Sequence, residues 1–211
     1  MSKSYNPVSE IFTDKKIISK IQNKLPELFQ IAELESSRAG KIGMEVGSLR
    51  EKIIIALLIY QFRKENVNTS IPITEPEKDV IVKNVPYSIK TITGNSRVKA
   101  VWTVDASSAN NFINKYKPGC HMLLIRINWE GITGGVYLIP IEVQEETCKR
   151  LGKERYLDLP KPGTNPRGVE FAKEAIEKML SNKETLKIEV TWKKKILEYD
   201  AYKRWVDYWK D

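Results

Sequence analysis

Residues 79–93 read Asp-Val-Ile-Val-Lys-Asn-Val-Pro-Tyr-Ser-Ile-Lys-Thr-Ile-Thr, and this stretch predicts a β-hairpin. Two runs rich in β-branched residues flank Lys83-Asn84, and asparagine tolerates the left-handed backbone of a tight turn. Residues equidistant from the turn pair with each other, so Asp79 is expected opposite Ser88. Because side chains alternate between the two faces of a strand, Lys90 shares the face of Ser88. The hairpin therefore brings a carboxylate and an amine to one side of two adjacent strands.

Elements before and after the hairpin set the fold class. Residues 9–35 have helical spacing, and Pro26 is expected to split them into two helices. Ser48-Leu49-Arg50-Glu51 has the form of a capping box, which predicts a helix from Ser48 to about Lys64. Its interior is apolar on all sides, so we expect it to be buried. Pro86 lacks an amide donor, which is typical of an edge strand or a bulge. With strand-like runs at 97–104, 121–129 and 136–143, the order predicts an α/β, or α+β, protein.

The composition favours a polyanionic partner. The 211 residues include 35 Lys and Arg against 27 Asp and Glu, which gives a net charge of +8 and a pI of about 9.3. Nucleic acid is the first interpretation of this excess and a membrane surface the second, while a lysine-rich surface that only keeps the protein soluble is the alternative. The two cysteines are far apart, no signal peptide opens the chain, and the longest apolar run has eight residues. We therefore expect a reduced, cytoplasmic protein with no membrane partner.

Missing motifs narrow the chemistry. His121 is the only histidine, so no histidine pair is available for zinc and a Ser-His-Asp arrangement could use only this residue. The sequence also has no G-x-S-x-G motif. There is no phosphate-binding loop and no G-x-G-x-x-G, so we expect no nucleotide cofactor. Phosphate chemistry would have to use carboxylates, a lysine and a hard metal ion, and Glu51, Asp79 and Lys90 are the candidates. The alternative is that Asp79 and Lys90 form an ordinary cross-strand ion pair and that Glu51 only completes a capping box.

Several motifs in this order resemble the PD-(D/E)XK nucleases, and among them the ThaI family of type II restriction endonucleases. The motifs are Glu51 in its helix, Lys78-Asp79-Val80, Ser88-Ile89-Lys90-Thr91, and the runs 98–105 and 124–129. They cover about residues 44–130. The resemblance implies a restriction-endonuclease-like core in which helices flank a mixed β-sheet. It implies a single domain over 1–211, with N-terminal helices and a loop (1–47), a catalytic core (48–152) and a C-terminal helix, strand and aromatic segment (153–211).

The resemblance also implies roles for the candidate residues. Asp79 would bind Mg²⁺, with the carbonyl of Ile89 as a second ligand and Glu51 in contact directly or through water. Lys90 would orient or activate the attacking water. Two residues depart from the family pattern, since Ser88 replaces the first acid of the D/E-x-K motif and Lys78 replaces the proline before Asp79. We therefore expect one magnesium ion, with Glu51 partly replacing the missing acid.

The expected partners are double-stranded DNA and a second copy of the chain, because a two-fold dimer can cut both strands of a palindrome. The resemblance implies the site CGCG and blunt ends.

Met44, in a glycine-rich loop, would wedge between base steps, or it packs into the local core. The other candidate DNA contacts are Arg97, Lys99, Asn110, Asn111, Lys115 and Arg167. The alternatives are a structure-specific PD-(D/E)XK repair nuclease and a DNA-binding module without catalysis.

Overall fold

The computed structural model describes residues 5–38, 41–43, 45–72, 75, 77–94, 96–101, 109–129, 134–160 and 168–210. Within these ranges the α-helices are α1 (Lys15–Glu35), α2 (Val46–Phe62), α3 (Ala109–Lys115), α4 (Ile141–Leu151), α5 (Lys153–Tyr156), α6 (Lys173–Leu180) and α7 (Lys203–Tyr208). Short 3-10 helices cover Pro7–Phe12 and Lys64–Asn66. The strands are β1 (Ser37–Arg38), β2 (Lys41–Ile42), β3 (Val67–Asn68), β4 (Val80–Val82), β5 (Val85–Thr93), β6 (Lys99–Val101), β7 (His121–Ile127), β8 (Gly134–Ile139), β9 (Leu157–Asp158), β10 (Val169–Phe171) and β11 (Leu186–Val190).

The main sheet has six strands in the order β11-β8-β7-β5-β4-β3. Strands β5 and β7 are parallel, and every other neighbouring pair in this sheet is antiparallel. A second sheet has the order β6-β10-β9, and β1 pairs with β2. Helices flank the main sheet, so the predicted mixed α/β architecture is confirmed.

The predicted hairpin joins β4 to β5. Lys83 has φ 46° and Asn84 has φ 67°, the two left-handed residues of a type I′ turn. The register pairs Val80 with Tyr87 and Val82 with Val85, and the Asp79 N–H donates to the Tyr87 carbonyl at 2.9 Å. The Ser88 hydroxyl donates to an oxygen of Asp79 at 3.3 Å, so these two residues are in contact at the open end of the hairpin.

Pro86 does not mark an edge strand, and that prediction was wrong. Strand β5 lies inside the sheet, between β4 and β7. The Tyr87 carbonyl points towards β4, so the missing N–H of Pro86 belongs to the opposite side of β5, because successive residues alternate in direction. Pairing with β7 begins only at Tyr87, opposite His121. Pro86 therefore removes no bond from either ladder.

Helices α1 and α2 cover one face of the main sheet. From α2, Ile54, Leu58 and Phe62 are buried at a spacing of four residues, in the same core as Val80 and Ile89. The opposite side of α2 is open, since Tyr60 is 60% exposed. The prediction that this helix is buried on all sides was therefore wrong. None of the helices that the structure describes combines the length and apolarity needed to span a bilayer.

The starts and breaks of these helices also differ from expectation. Helix α1 continues through Pro26, and the break falls earlier, at Asp14, whose carboxylate accepts the N–H groups of Lys16 and Ile17 at 2.8 and 3.2 Å. Pro26 is itself buried, and packing of the apolar face of α1 outweighs the one backbone bond that proline removes. Helix α2 begins at Val46, so Ser48 lies in its first turn and the predicted capping box is absent.

The small sheet and helices α3 to α6 form a second core on the other face. It contains Ile92, Met122 and Leu124 from the main sheet, together with Tyr156 and Phe171. The main sheet is thus buried on both faces. This explains why every residue of β7 except Arg126 is buried and why its interior is apolar, whereas a strand with one solvated face would alternate.

Candidate active site

A cavity lies along the part of β5 that extends beyond β4, and Glu51, Asp79 and Lys90 meet there. Strand β4 is only three residues long and pairs with Val85 to Tyr87. Beyond that point β5 has β7 on one side and, among the described residues, no strand on the other. A cavity of about 350 Å³ opens there. It is lined by Gly47, Ser48 and Glu51 of α2, by Asp79, Ile89, Lys90 and Thr91, and by Arg97, Val98, Lys99 and Glu170 of the small sheet and its approach.

Three donors converge on one oxygen of Asp79. Its Oδ2 accepts the Ile89 N–H at 2.6 Å, the Ser88 hydroxyl at 3.3 Å and the Lys90 ammonium at 3.4 Å. The side chains of Asp79 and Lys90 are 18% and 11% exposed, so the pair lies at the wall of the cavity and still reaches solvent. The structure therefore brings together the carboxylate and the amine that the hairpin pattern predicted.

The backbone of Ile89 faces the same edge. Its N–H reaches Asp79, and in an extended strand the carbonyl of a residue points to the same side as its N–H. The predicted metal-binding carbonyl is therefore directed towards the unpaired edge of β5 and away from β7. The Ile89 side chain packs into the core beneath α1 and α2.

Glu51 approaches the cavity from the early part of α2. Burial raises the pKa of Glu51, and the negative charge of Asp79 raises it further, while Lys90 and Lys52 oppose the shift. Two carboxylates thus lie close enough to repel each other in a partly desolvated site, and each makes it harder for the other to ionise. Because α2 begins at Val46, Glu51 completes no capping box, and the structural alternative for this residue fails.

The donor set fits a hard cation. Asp79, Glu51 and the Ile89 carbonyl supply oxygen, which Mg²⁺ prefers, and Mg²⁺ usually binds one or two carboxylates and keeps several waters. Within the described ranges, no group of three or more His, Cys, Asp or Glu side chains is arranged to hold a metal ion. A cation here would therefore depend on backbone, water and substrate oxygens besides the two carboxylates.

Glu77 is an acidic residue near the candidate site that the sequence did not predict. It lies two residues before Asp79 and lines a very small cavity together with Ser88, Lys90 and Cys120. Burial raises its pKa, although the Gly119 N–H donates to its Oε2 at 3.2 Å. Burial, with the charge of Glu77, also raises the pKa of Cys120 to about 12. Glu77 and Asp79 are two residues apart, a spacing that puts side chains on the same face of a strand. The sequence before β4 has no strand pattern, so this spacing did not predict that Glu77 lies near the site.

Arg97 and Lys99, two of the candidate DNA contacts, form ion pairs with acidic residues of the small sheet. Lys99 pairs with Glu170 at 3.2 Å, and Arg97 pairs with Asp158 at 3.0 Å and with Glu170 at 3.6 Å. Both line the candidate active-site cavity. The pairing of β6 with β10 explains this, since it turns the polar face of β6 towards the acidic residues of the small sheet.

The remaining candidate DNA contacts are less constrained. Asn111 and Lys115 are exposed on α3, which also contains Asn110. The side chain of Asn110, and the whole of Met44 and Arg167, lie outside the described residues. The wedge proposed for Met44 is therefore untested.

Comparison with known proteins agrees with the geometry. The family model "Restriction endonuclease ThaI" matches residues 11–211. A solved structure described as a restriction endonuclease in complex with substrate DNA is 52% identical, covers 97% of this chain and 99% of its own, and superposes with a TM-score of 0.90. No curated protein matches. These findings confirm the resemblance and the fold, and the chain therefore belongs to the ThaI family of type II restriction endonucleases.

Proposed function

We propose that the protein hydrolyses phosphodiester bonds in both strands of double-stranded DNA, with Mg²⁺ as its cofactor. The observation that supports this best is the convergence of Asp79 and Lys90 at the unpaired edge of β5, beside Glu51. Hydrolysis of a phosphodiester needs a cation near the phosphate and a group that positions water, and these residue types meet both needs.

Asp79, the Ile89 carbonyl and Glu51 would hold the magnesium ion. When bound, the ion polarises a phosphate oxygen and increases the acidity of a coordinated water. Asp79 is already held by the Ile89 N–H, which fixes its carboxylate at the edge of β5. Glu51 must lose its proton before it can bind the cation, and its raised pKa makes that loss dependent on pH.

Lys90 would orient the attacking water and offset negative charge on the scissile phosphate. Its ammonium lies 3.4 Å from Asp79 in a nearly buried position, where charges act more strongly than in bulk solvent. The distance is long for a charge-assisted hydrogen bond, so Lys90 can exchange this contact for a phosphate oxygen or a water at little cost.

DNA as substrate is supported by the net charge of +8 and by the solved relative, which is described in complex with substrate DNA. The family resemblance suggests a short G·C palindrome, CGCG, cut to blunt ends by a homodimer in the cytoplasm. Met44 is proposed to wedge between base steps. Arg97, Lys99, Asn110, Asn111, Lys115 and Arg167 are proposed as the further DNA contacts.

Incubation of the purified protein with unmethylated plasmid and Mg²⁺ tests this proposal. Discrete fragments whose ends map within one short palindrome are expected, and omission of the metal should abolish them. Nicking or degradation at special DNA structures would identify a repair nuclease. Retardation of the DNA without cleavage would identify a binding module, and either result would overturn the proposal.

The specificity is tested by the ends of the fragments. Ligation and sequencing of the cut DNA should give blunt ends at the centre of CGCG. A Met44→Ala variant should cleave much more slowly while its thermal unfolding stays unchanged. Equal loss of cleavage and of stability would mean that Met44 only packs into the local core.

A further inference from the structure

A buried ion pair lies directly beside Glu51 in the sequence. Arg50, the preceding residue of α2, contacts Glu33 of α1 at 2.5 Å, and their side chains are 6% and 4% exposed. The same Glu33 oxygen accepts the indole N–H of Trp129 at 2.7 Å. Two charged groups are thus removed from water next to a residue that we assign to the active site.

The pair joins segments that are distant in the chain. The second guanidinium arm of Arg50 donates to the Thr93 hydroxyl at 3.2 Å, and Thr93 ends the strand that carries Ile89 and Lys90. Lys194, beyond β11, lies 3.0 Å from the other oxygen of Glu33. Arg50 therefore ties the early part of α2 to both α1 and the end of β5, the strand along which the cavity opens.

Stability alone does not account for this arrangement. Burial lowers the pKa of Arg50 even though Glu33 acts in the opposite direction, so desolvation outweighs the attraction between the partners. The Nε of Arg50 is buried and has no hydrogen-bond partner among the described residues. Apolar side chains of similar size often stabilise such a position as well as a buried ion pair does, or better. A carboxylate and a guanidinium offer in addition a fixed direction, because their hydrogen bonds are geometrically specific.

We propose that Glu33 and Arg50 are positioning residues that set the rotation of α2 about its axis and so direct Glu51 into the active-site cavity. Successive residues of an α-helix are about 100° apart around the axis. When Arg50 is locked towards Glu33 and Thr93, Glu51 is turned towards the edge of β5, where it lines the cavity. This inference rests on the proposed role of Glu51 at a metal site.

The test replaces both charges together. The double variant Glu33→Leu/Arg50→Met keeps about the volume of the pair and removes its directional bonds. It also removes the acceptor of the Trp129 indole N–H, so we expect it to fold with a modestly lowered thermal stability. Loss of the orienting contacts should weaken metal binding about 10- to 100-fold. It should also lower kcat about 100-fold, while KM for DNA stays within about twofold, because Glu51 acts on the reacting centre and not on DNA affinity.

The measurements are Mn²⁺ binding to the free protein by electron paramagnetic resonance, and cleavage of duplex DNA over a range of Mg²⁺ concentrations. The matched control is Glu174→Leu/Arg155→Met, which removes an ion pair of 2.7 Å between α5 and α6 that is exposed. This control should keep wild-type Mn²⁺ affinity and wild-type kcat.

A folded double variant with wild-type Mn²⁺ affinity and kcat would overturn the proposal. If the double variant does not fold, the Arg50→Lys variant tests the proposal instead. Lysine keeps the charge near Glu33, but its single ammonium cannot reproduce the two planar guanidinium hydrogen bonds to Glu33 and Thr93. Undiminished kcat and Mn²⁺ affinity in this variant would also overturn the proposal. If the wild-type protein binds Mn²⁺ but cuts no DNA, the proposed function fails, and the Mn²⁺ measurement still tests the positioning pair separately.

Discussion

Two ion pairs of the same chemistry occupy opposite environments in this protein. Asp79 and Lys90 are 3.4 Å apart on the wall of an open cavity, whereas Glu33 and Arg50 are 2.5 Å apart in the interior. Solvent and ligands can reach the first pair, so its partners are able to exchange each other for a cation and a phosphate. The second pair has no room for such an exchange and can only hold its elements in place. Access to solvent, more than residue type, distinguishes these two ion pairs.

The largest expected effect is on the cleavage rate, and it comes from substituting Asp79 or Lys90. Asp79→Asn and Lys90→Ala should each lower the single-turnover cleavage rate by at least about 100- to 1,000-fold, because each removes a charge proposed to act on the reacting phosphate. Binding of the DNA duplex, measured by gel retardation, should persist in Lys90→Ala. The control is Lys187→Ala, which removes an ion pair with Glu189 on β11. Retained cutting by Lys90→Ala would contradict the role assigned to this residue.

Removing one partner of the buried Glu33–Arg50 pair should lower stability as well as cleavage. Arg50→Ala leaves the buried Glu33 carboxylate with only Lys194 and the Trp129 indole N–H as partners. This should lower the free energy of unfolding by up to about 3–5 kcal/mol. Arg155→Ala breaks an exposed pair and should cost no more than about 1 kcal/mol. Urea unfolding of the three proteins at one pH makes the comparison. If both variants lose the same free energy of unfolding, burial does not determine how much the Glu33–Arg50 pair contributes to stability.

A pH profile sharpens the comparison at the open site. Burial and the charge of Asp79 raise the pKa of Glu51 above its ordinary value of 4.5, so Glu51 keeps its proton to a higher pH than a free glutamate. Cleavage should therefore fall as the pH decreases towards this raised pKa. A slow Glu51→Gln variant should lack that acid limb in kcat/KM, and it should be slightly more stable at neutral pH because it no longer buries a charge. An acid limb that is unchanged in Glu51→Gln would assign it to another group.

His121 contrasts with Glu51, because it is a base and burial lowers its pKa instead of raising it. Its Nδ1 accepts the Ile141 N–H at 3.0 Å, and burial lowers its pKa below 6.5, so the folded protein holds it neutral. The unfolded chain binds a proton more readily as the pH falls below 6.5. The contribution to stability is therefore complete above that pH and decreases as the pH falls towards the folded-state pKa. Denaturant titrations from pH 8 to pH 5 should show this decrease, and a His121→Gln variant should show less of it.

The smallest effect is expected for Arg97, whose ion pairs are largely exposed. Arg97→Ala should change the free energy of unfolding by less than about 1 kcal/mol. If Arg97 contacts a phosphate, the slope of log affinity for DNA against log salt concentration should decrease by about one. A slope equal to that of the wild type would remove Arg97 from the DNA contacts and leave it as a partner of Asp158 and Glu170.

Sequence reasoning was most reliable where contacts are local. The β4–β5 hairpin followed from a two-residue turn and from alternation, because both turn and pairing involve residues less than fifteen positions apart. It was least reliable where packing overrides propensity. Pro26 stays within α1 because its neighbours are buried, and α2 begins before the apparent capping box.

By itself, the sequence determined the hairpin that presents Asp79 and Lys90, the basic character of the chain, and the lack of a histidine pair and of a phosphate-loop motif. Only the tertiary structure decided that β4 is short enough to leave the edge of β5 open, that Glu51 lines the cavity along this edge, and that Glu77 lines a smaller cavity beside Ser88 and Lys90. It also paired Glu33 with Arg50. The reason is physical: turns and strand alternation are set by neighbouring residues, whereas cavities and buried charges depend on which distant surfaces pack together and exclude water.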